Sequence, residues 1–210
     1  MNILVLGAGN MGAAFVKQLT GAGHQVSVTA RDGAKAQAVA AANPGATAVA
    51  SVNAAAAVDV IVLATGYADA VSALQSVGDL SGKVVIDITN PLTDDYMGLT
   101  LGHSTSAAEE IAKALPAAQL VKAFNTVFAT VLAEGADFGN GQTVTVFVAS
   151  DSERAKQTAV ALAQSMGFTT IDAGGLKNAR YLEPLAGLNI YLGYGAGLGT
   201  SIAPTWIRKA

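Results

Sequence analysis

Short, largely apolar runs alternate along the chain with segments whose apolar residues recur at helical spacing. The runs Ile3–Leu6, Asp59–Ala64 and Lys83–Ile88 predict strands buried on both faces, as in a parallel sheet. Further strands are predicted over Gln25–Ala30, Thr47–Ser51, Gln119–Ala123, Thr143–Ala149 and Phe168–Asp172. Because helical patterns separate most of these strands, the sequence predicts a doubly wound, mostly parallel α/β sheet of the Rossmann type.

Capping residues mark the starts of several helical segments. Ser106–Glu109 and Ser150–Glu153 each place a serine three residues before a glutamate, which predicts capping boxes for two helices. Asn53 is expected to cap an alanine-rich turn. The polar, glycine-bearing segment Leu92–Thr105 is predicted to be a long loop, and long loops in compact domains are often functional.

The C-terminal part of the chain has a composition of its own. Residues 184–207 carry no charge and are long enough to cross a bilayer, but five glycines and several polar residues make a lipid-facing helix unfavourable. We therefore expect no membrane span. Instead we predict a dinucleotide-binding domain over residues 1–173 and a short helical C-terminal appendage over residues 174–210 that covers its crevice.

The turn after the first strand contains the pattern G-x-G-x-x-G. Gly7 permits a sharp turn, Gly9 lets the backbone approach a pyrophosphate, and Gly12 lets the next helix pack close to the sheet. That helix would direct free N–H groups and the positive end of its dipole at phosphates. We therefore predict a dinucleotide site that includes Asn10 and Met11 of the same turn. A purely structural turn is the alternative.

The end of the second strand indicates which dinucleotide binds. NAD-binding folds usually carry an acidic residue there for the ribose 2′-hydroxyl, but this chain has Arg31, with Lys35 one helical turn later. Charge-assisted hydrogen bonds to a 2′-phosphate are worth roughly 1.5 to 3 kcal/mol each, or about one to two tenfold steps in affinity. We predict NADP(H), with Thr29 and Ala30 beside it. The alternative is that both cations are ordinary surface charges and that Asp32 reaches the ribose.

Three polar or aromatic side chains follow successive predicted strands. Tyr67, Asn90 and Asn125 would lie on one rim if these strands are parallel, and ligands bind at that edge of open α/β sheets. Tyr67 is a candidate to lie against the nicotinamide or the adenosine ribose, and Asn90 to offer its amide to the nicotinamide end. The cofactor-binding residues expected at these turns are Ala64, Thr65, Gly66, Tyr67, Asn90, Pro91 and Asn125.

Composition narrows the class of protein. The chain is 51% hydrophobic and 13% charged with a net charge of −3, so it offers no basic field for nucleic acid. It contains no cysteine, which excludes disulfides and thiol chemistry, and its two histidines lie far apart, so no metal site is expected. The first strand begins at the N-terminus without a charged leader, and we therefore expect a cytoplasmic protein.

The chain resembles the NADPH-dependent oxidoreductases of coenzyme F420, a deazaflavin, together with small bacterial NADP oxidoreductases and the reductase domain of membrane ferric reductases. The resemblance covers essentially the whole chain and is carried by Gly7–Gly12, Ala30-Arg31 with Lys35, Ile88–Pro91, Val121–Thr126 and Asp172–Ala186. It implies that Arg31 and Lys35 bind the 2′-phosphate. It further implies that the C-terminal segment walls the acceptor pocket and a homodimer interface. The family commonly has serine or threonine where this chain has Ala30, so one phosphate contact is expected to be missing unless Thr29 replaces it.

The chemistry implied by this resemblance asks little of side chains. A hydride passes from NADPH to a ring-type electron acceptor such as F420 or a flavin, so the protein must stack two rings and exclude water. Accordingly we assign no catalytic residue, and we expect Arg180 and Glu183 to form a structural ion pair. Two alternatives remain open: an NADPH-dependent reductase of another substrate, such as an imine, a hydroxyacid or a ferric chelate, and an NADP(H)-binding sensor without turnover.

Overall fold

The computed structural model describes residues 1–139, 141–207 and 209. Six strands form the central sheet: β1 (Asn2–Leu6), β2 (Gln25–Thr29), β3 (Ala46–Ala48), β4 (Val60–Leu63), β5 (Val84–Asp87) and β6 (Gln119–Lys122). Their order is β3-β2-β1-β4-β5-β6, and every neighbouring pair is parallel. The order reverses between β1 and β4, so the doubly wound sheet predicted from the sequence is confirmed.

Helices cover both faces of this sheet. They are α1 (Asn10–Gly21), α2 (Gly33–Ala42), α3 (Ala70–Ser76), α4 (Ala107–Ala114), α5 (Ala129–Glu134), α6 (Glu153–Ser165) and α7 (Ala179–Ile190). Helices α1, α2, α5 and α6 pack in one apolar cluster with Ile3 and Val5 of β1. Helices α3 and α4 and the start of α7 pack in a second cluster with Leu4 and Leu6. Because successive side chains of a strand point to opposite faces, β1 contributes to both clusters.

A smaller pair of strands lies beside β6. The strands β9 (Thr145–Val148) and β10 (Thr169–Asp172) are parallel to each other. An antiparallel bridge joins them to the main sheet: Lys122 N donates to Ala149 O at 2.9 Å, and Ala149 N donates to Lys122 O at 3.0 Å. A short hairpin of β7 (Asp137–Gly139) and β8 (Gln142–Thr143) precedes this pair. The sequence predicted β9 and β10 but missed α5 and the hairpin.

Two of the predicted caps were wrong in detail. Asn53 precedes a 3-10 turn, but it has a left-handed φ of 59° and its side chain caps nothing. The N-cap of α6 is Ser152, whose hydroxyl accepts from Ala155 N at 3.2 Å, because the Ser150 hydroxyl instead donates to Leu120 O at 2.6 Å. The predicted cap at Ser106 is confirmed, since its hydroxyl accepts from the backbone N–H of α4.

The chain after β10 runs back along the rim of the sheet. A 3-10 turn (Leu176–Asn178) leads into α7, which continues into a π-helical turn (Tyr191–Gly195). The long predicted loop, residues 92–105, lies against this region, because Leu99 packs beside Gly187 of α7. Among the described residues, no helix has the length and apolar character that a membrane crossing requires. The division at residue 173 stays a prediction.

Candidate functional site

The glycine turn closes the gap between β1 and β4. Gly7 has a φ of +124°, a conformation that favours glycine. A Cβ at this position would also lie 2.7 Å from the carbonyl carbon of Ala64, which follows β4. In addition, Gly7 N donates to Thr29 O at 2.8 Å, and this bond ties the turn to β2. Glycine is therefore needed here for both backbone conformation and space.

The other two glycines of the motif have different surroundings. A Cβ at Gly12 would lie 2.8 Å from the carbonyl carbon of Gly7, so this residue sets how closely α1 packs on the turn. At Gly9, by contrast, no atom lies within 4 Å of such a Cβ. Gly9 is also the N-cap of α1 and provides no side-chain cap for the N–H groups of the first turn. The open space and the uncapped helix start together fit a bound phosphate.

These turns line a cleft of about 530 Å³ at the point where the strand order reverses, here named the switch-point cleft. The predicted cofactor residues on its lining are Gly7, Gly9, Ala30, Arg31, Ala64, Thr65 and Gly66. Open α/β sheets bind their ligands at this position, outside the carboxyl ends of the strands. The structure therefore brings together the residues that three separate strand ends contribute.

Arg31 extends from the end of β2 into solvent. Its side chain is 92% exposed, and one guanidinium nitrogen lies 3.9 Å from Asp69 Oδ2, a surface contact that contributes little. Its neighbour Asp32 caps α2: Asp32 Oδ1 accepts from Ala34 N at 3.0 Å and from Lys35 N at 3.4 Å. Asp32 Oδ1 is thus engaged at the start of α2, which disfavours the alternative in which this carboxylate holds the ribose. Lys35 is exposed in the first turns of α2.

A second cavity of about 270 Å³ is lined in the glycine turn by Asn10 and is here named the rim cavity. Gly9 lines the first and Asn10 the second, so consecutive residues of the glycine turn border the two spaces. The rim cavity is lined by Asn10, Met11, Ile88, Asn90, Tyr96, Phe124, Asn125, Thr126, Val127, Phe128, Ala129, Ala186, Asn189, Ile190 and Tyr194. It therefore receives residues from the ends of β5 and β6 and from α7.

Amide side chains fasten the walls of the rim cavity to one another. Asn90 Nδ2 donates to Asn125 O at 2.9 Å, while Asn125 Nδ2 donates to Asn90 Oδ1 at 3.0 Å and to Leu182 O at 2.9 Å. Asn189 Nδ2 donates to Thr126 O at 3.1 Å. The predicted meeting of Asn90 and Asn125 on one rim is confirmed as a contact. Both strand ends are thereby tied to α7.

Two polar atoms of residues on this lining lack a partner within the described chain. Asn125 Oδ1 and Thr126 Oγ1 are buried without a hydrogen bond, a costly arrangement unless a ligand satisfies it. An amide oxygen accepts and a hydroxyl can donate, so the pair complements a carboxamide. The nicotinamide end of a dinucleotide carries such a group. The residues present therefore fit a dinucleotide that extends from the switch-point cleft into the rim cavity.

A buried charge cluster lies beneath this rim. Lys122 Nζ contacts Asp87 Oδ2 at 2.8 Å, Glu183 Oε1 at 2.9 Å and Thr89 O at 2.6 Å, and all three charged side chains are at most 2% exposed. Glu183 also accepts from the backbone N–H groups of Ala107 and Ala108, at 2.8 and 3.1 Å, at the start of α4. Two carboxylates face one ammonium, and the helix N-terminus supports the excess negative charge.

Sequence reasoning missed this cluster. The predicted ion pair between Arg180 and Glu183 is wrong. Arg180 instead forms two hydrogen bonds of 2.8 and 2.7 Å with Glu109, while Glu183 turns inward to Lys122. The available signal was Lys122 itself. Because a strand inside a parallel sheet is buried on both of its faces, a lysine there is buried too and requires an anionic partner. Asp87 also holds the loop that follows β5, because its Oδ1 accepts from Thr89 N at 2.8 Å.

Several predicted cofactor residues lie off both cavities. Gly12 packs beneath the turn, Thr29 is 1% exposed, and Lys35 stands on the outer surface of α2. Pro91 is buried, and Tyr67 is half-buried at the start of a 3-10 turn over the second apolar cluster. Burial, followed by the charges of Glu110, Glu183 and Asp87, raises the pKa of the Tyr67 hydroxyl. Tyr67 is thus a neutral phenol beside the charge cluster.

The fold and the two cavities are those of the Rossmann class of dinucleotide-binding proteins, with the candidate ligand site at the reversal of strand order. The sequence model of the family described as "NADP oxidoreductase coenzyme F420-dependent" matches residues 2–91. The F420-dependent NADP reductase of Methanothermobacter thermautotrophicus is 31% identical over an alignment of 212 positions, which covers 91% of this chain and 89% of that protein. The chain therefore belongs to this family of NADP-dependent oxidoreductases.

Two further comparisons agree with that assignment. A crystal structure from Arthrobacter sp. FB24, provisionally named an F420-dependent NADP-reductase, superposes with a TM-score of 0.87 at 28% identity and covers 99% of this chain and 100% of its own. The metalloreductase STEAP3 of Rattus norvegicus is 32% identical over 182 residues, or 86% of this chain. That match spans only 35% of STEAP3, so it concerns one part of a longer protein.

Proposed function

We propose that the protein transfers a hydride between NADPH and a planar ring-type acceptor, either the deazaflavin F420 or a flavin. The observation that carries this proposal is that consecutive residues of the glycine turn, Gly9 and Asn10, line the two cavities. A dinucleotide held by the switch-point cleft would place its nicotinamide in the rim cavity, where an acceptor can lie against it. The F420-dependent names of two similar proteins support the same acceptor class.

The chain's own residues would bind and orient the dinucleotide and would shield the reacting rings from water. Arg31 would hold the 2′-phosphate and Gly9 would admit the pyrophosphate, while Asn125 and Thr126 would satisfy the carboxamide. When bound, NADPH supplies a hydride to the acceptor ring, which also takes up a proton from solvent. Ile88, a buried apolar residue on the rim cavity's lining, helps to limit access of water. Such a reaction requires positioning more than acid or base catalysis.

The proposal is tested by the oxidation of NADPH by purified protein, followed through the loss of NADPH absorbance. The acceptors are F420, flavin mononucleotide, ferric citrate and a cyclic imine, each varied in concentration at saturating NADPH. We expect saturable turnover with a ring acceptor and at least tenfold lower kcat/KM with the other two. NADH in place of NADPH serves as the control for cofactor choice.

Each alternative has its own result in this assay. Preferred turnover of ferric citrate or of the imine would refute the ring acceptor and assign the protein to another substrate class. Tight NADPH binding, measured by calorimetry, without turnover on any acceptor would instead support a sensor. Saturation only with a ring acceptor would establish the proposed function.

A further inference from the structure

Two exposed tyrosines line the mouth of the rim cavity from opposite segments of the chain. Tyr96 belongs to the 92–105 loop and is 62% exposed, while Tyr194 belongs to the π-helical turn after α7 and is 64% exposed. Tyr181, Phe138 and Trp206 are also exposed, but they line other cavities. Large aromatic surface directed at an open cavity is typical of a site that binds an apolar or aromatic ligand.

The backbone holds Tyr96 in place at some cost. Its φ of +62° is left-handed, a conformation that a bulky residue adopts only when its surroundings impose it. The surrounding turn supplies that constraint: Thr93 Oγ1 donates to Asp95 Oδ1 at 2.6 Å, and Met97 N donates to the same oxygen at 3.0 Å. Tyr96 N also donates to Thr93 O at 2.9 Å. A glycine at position 96 would remove this strain, yet the chain has a tyrosine there.

Tyr194 is held by packing against a buried aromatic ring. Within the π-helical turn Gly193 and Gly195 flank Tyr194, and a Cβ at Gly193 would lie 2.8 Å from the ring of Phe128. The ring of Tyr194 meets Phe128 edge to face, with centroids 5.8 Å apart and an interplanar angle of 86°. Phe128 is buried and lines the same cavity, so Tyr194 rests on a fixed wall. Single π-helical turns are frequent at functional sites.

The two segments also touch each other. A Cβ at Gly195 would lie 3.4 Å from the sulfur of Met97, the residue after Tyr96. The loop and the π-helical turn therefore close over one opening instead of presenting two unrelated surfaces. Tyr96 and Tyr194 border that opening.

We propose that Tyr96 and Tyr194 are the specificity-determining residues of the acceptor site, two aromatic lips that grip a planar fused-ring acceptor. This inference deepens the proposed function and rests on it. Offset or edge contacts with an aromatic ring favour a flat, conjugated ligand, whereas a hydrated ferric chelate or an aliphatic cyclic imine gains little from them. Thus the lips select the ring class without touching the cofactor's phosphates.

The test compares Tyr194→Ala, Tyr194→Phe, Tyr96→Ala and Tyr96→Phe with the wild type and with Tyr181→Ala. Tyr181 is an exposed tyrosine of α7 that does not line the rim cavity, so its variant controls for the loss of a surface ring. Binding of flavin mononucleotide is measured through quenching of its fluorescence at saturating NADP⁺, a mixture that cannot turn over. NADP⁺ affinity is measured separately by calorimetry.

We expect each alanine variant to weaken flavin binding by about 2- to 10-fold, the effect of losing one aromatic contact. Each phenylalanine variant should stay within about twofold of the wild type, because it keeps the ring. NADP⁺ affinity should be unchanged throughout. Unchanged flavin binding in both alanine variants, or an equal loss in Tyr181→Ala, would overturn the inference.

The same series separates this inference from the proposed function. If the wild type reduces flavin mononucleotide or F420 and the alanine variants do so equally well, the role of Tyr96 and Tyr194 is refuted while the proposed function stands. If the wild type neither binds nor reduces any ring acceptor, the proposed function fails and the lips fail with it.

Discussion

Replacement of Lys122 by methionine should strongly destabilise the protein. Methionine keeps most of the apolar stem but removes the ammonium, which lies 2.8 Å from Asp87 and 2.9 Å from Glu183. Both carboxylates would then remain buried with a neighbouring like charge. Loss of one partner from a buried ion pair costs about 3–5 kcal/mol. Since each kcal/mol lowers Tm by roughly 2–4 °C for a domain of this size, we expect a fall of about 6–20 °C.

The surface pair formed by Lys156 and Asp172 provides a matched control. Its nitrogen and oxygen lie 3.1 Å apart, but the Asp172 side chain is 59% exposed. Lys156→Met should therefore cost less than about 1 kcal/mol. Urea unfolding followed by far-UV circular dichroism measures both variants under the same conditions.

A double variant identifies the cause of the loss. In Lys122→Met with Asp87→Asn, one uncompensated carboxylate is gone, so the double variant should be more stable than the sum of the two single losses predicts. The reasoning would be refuted if Lys122→Met matched the surface variant, or if the two losses simply added.

Four further variants test other parts of the protein. Arg31→Ala should weaken NADPH binding about 10- to 100-fold and NADH binding hardly at all, as measured by calorimetry; an equal loss for both would make Arg31 an ordinary surface charge. Gly9→Ala should keep the unfolding free energy within about 1 kcal/mol yet weaken NADPH binding, whereas Gly12→Ala should cost about 1–3 kcal/mol because its methyl group meets backbone. Hydrogen bonds from Arg180 lower the pKa of Glu109, so the stability this pair contributes is present above the ordinary pKa of an unfolded glutamate and is lost as pH falls through the lower folded pKa. The difference in unfolding free energy between wild type and Arg180→Ala should therefore shrink on acidification, and a constant difference would contradict the pairing.

The parallel sheet and the glycine turn could be predicted because local signals specify them. Apolar runs such as Ile3–Leu6 need burial on both faces, and the spacing of Gly7, Gly9 and Gly12 has a separate steric reason at each position. Once the strands are parallel, the meeting of Asn90 and Asn125 follows from topology. These features depend on neighbours in sequence or on one rule of sheet geometry.

The features that sequence reasoning missed depend on which distant segments meet. Spacing alone favours a pair between Arg180 and Glu183, one helical turn apart, but α7 lies with Glu183 inward against Lys122 and with Arg180 outward against Glu109. The position of Tyr194 likewise depends on a π-helical turn and on Phe128. No periodicity in the chain specifies either arrangement.

The buried cluster also explains why the rim cavity needs the chain after β10. Glu183 is held by Lys122 of β6 and by the start of α4, and one turn later Ala186 and Asn189 of the same helix form a wall of the rim cavity. A helix that is fixed at one point by two charged contacts cannot rotate without breaking them, so its next turn keeps its face toward the cavity. Lys122, which holds Glu183 of α7, thus also keeps the cavity wall in position, although Lys122 itself lies outside the cavity lining. A variant at this position should therefore lose stability and acceptor binding together, while Arg31, at the other end of the site, affects cofactor binding alone.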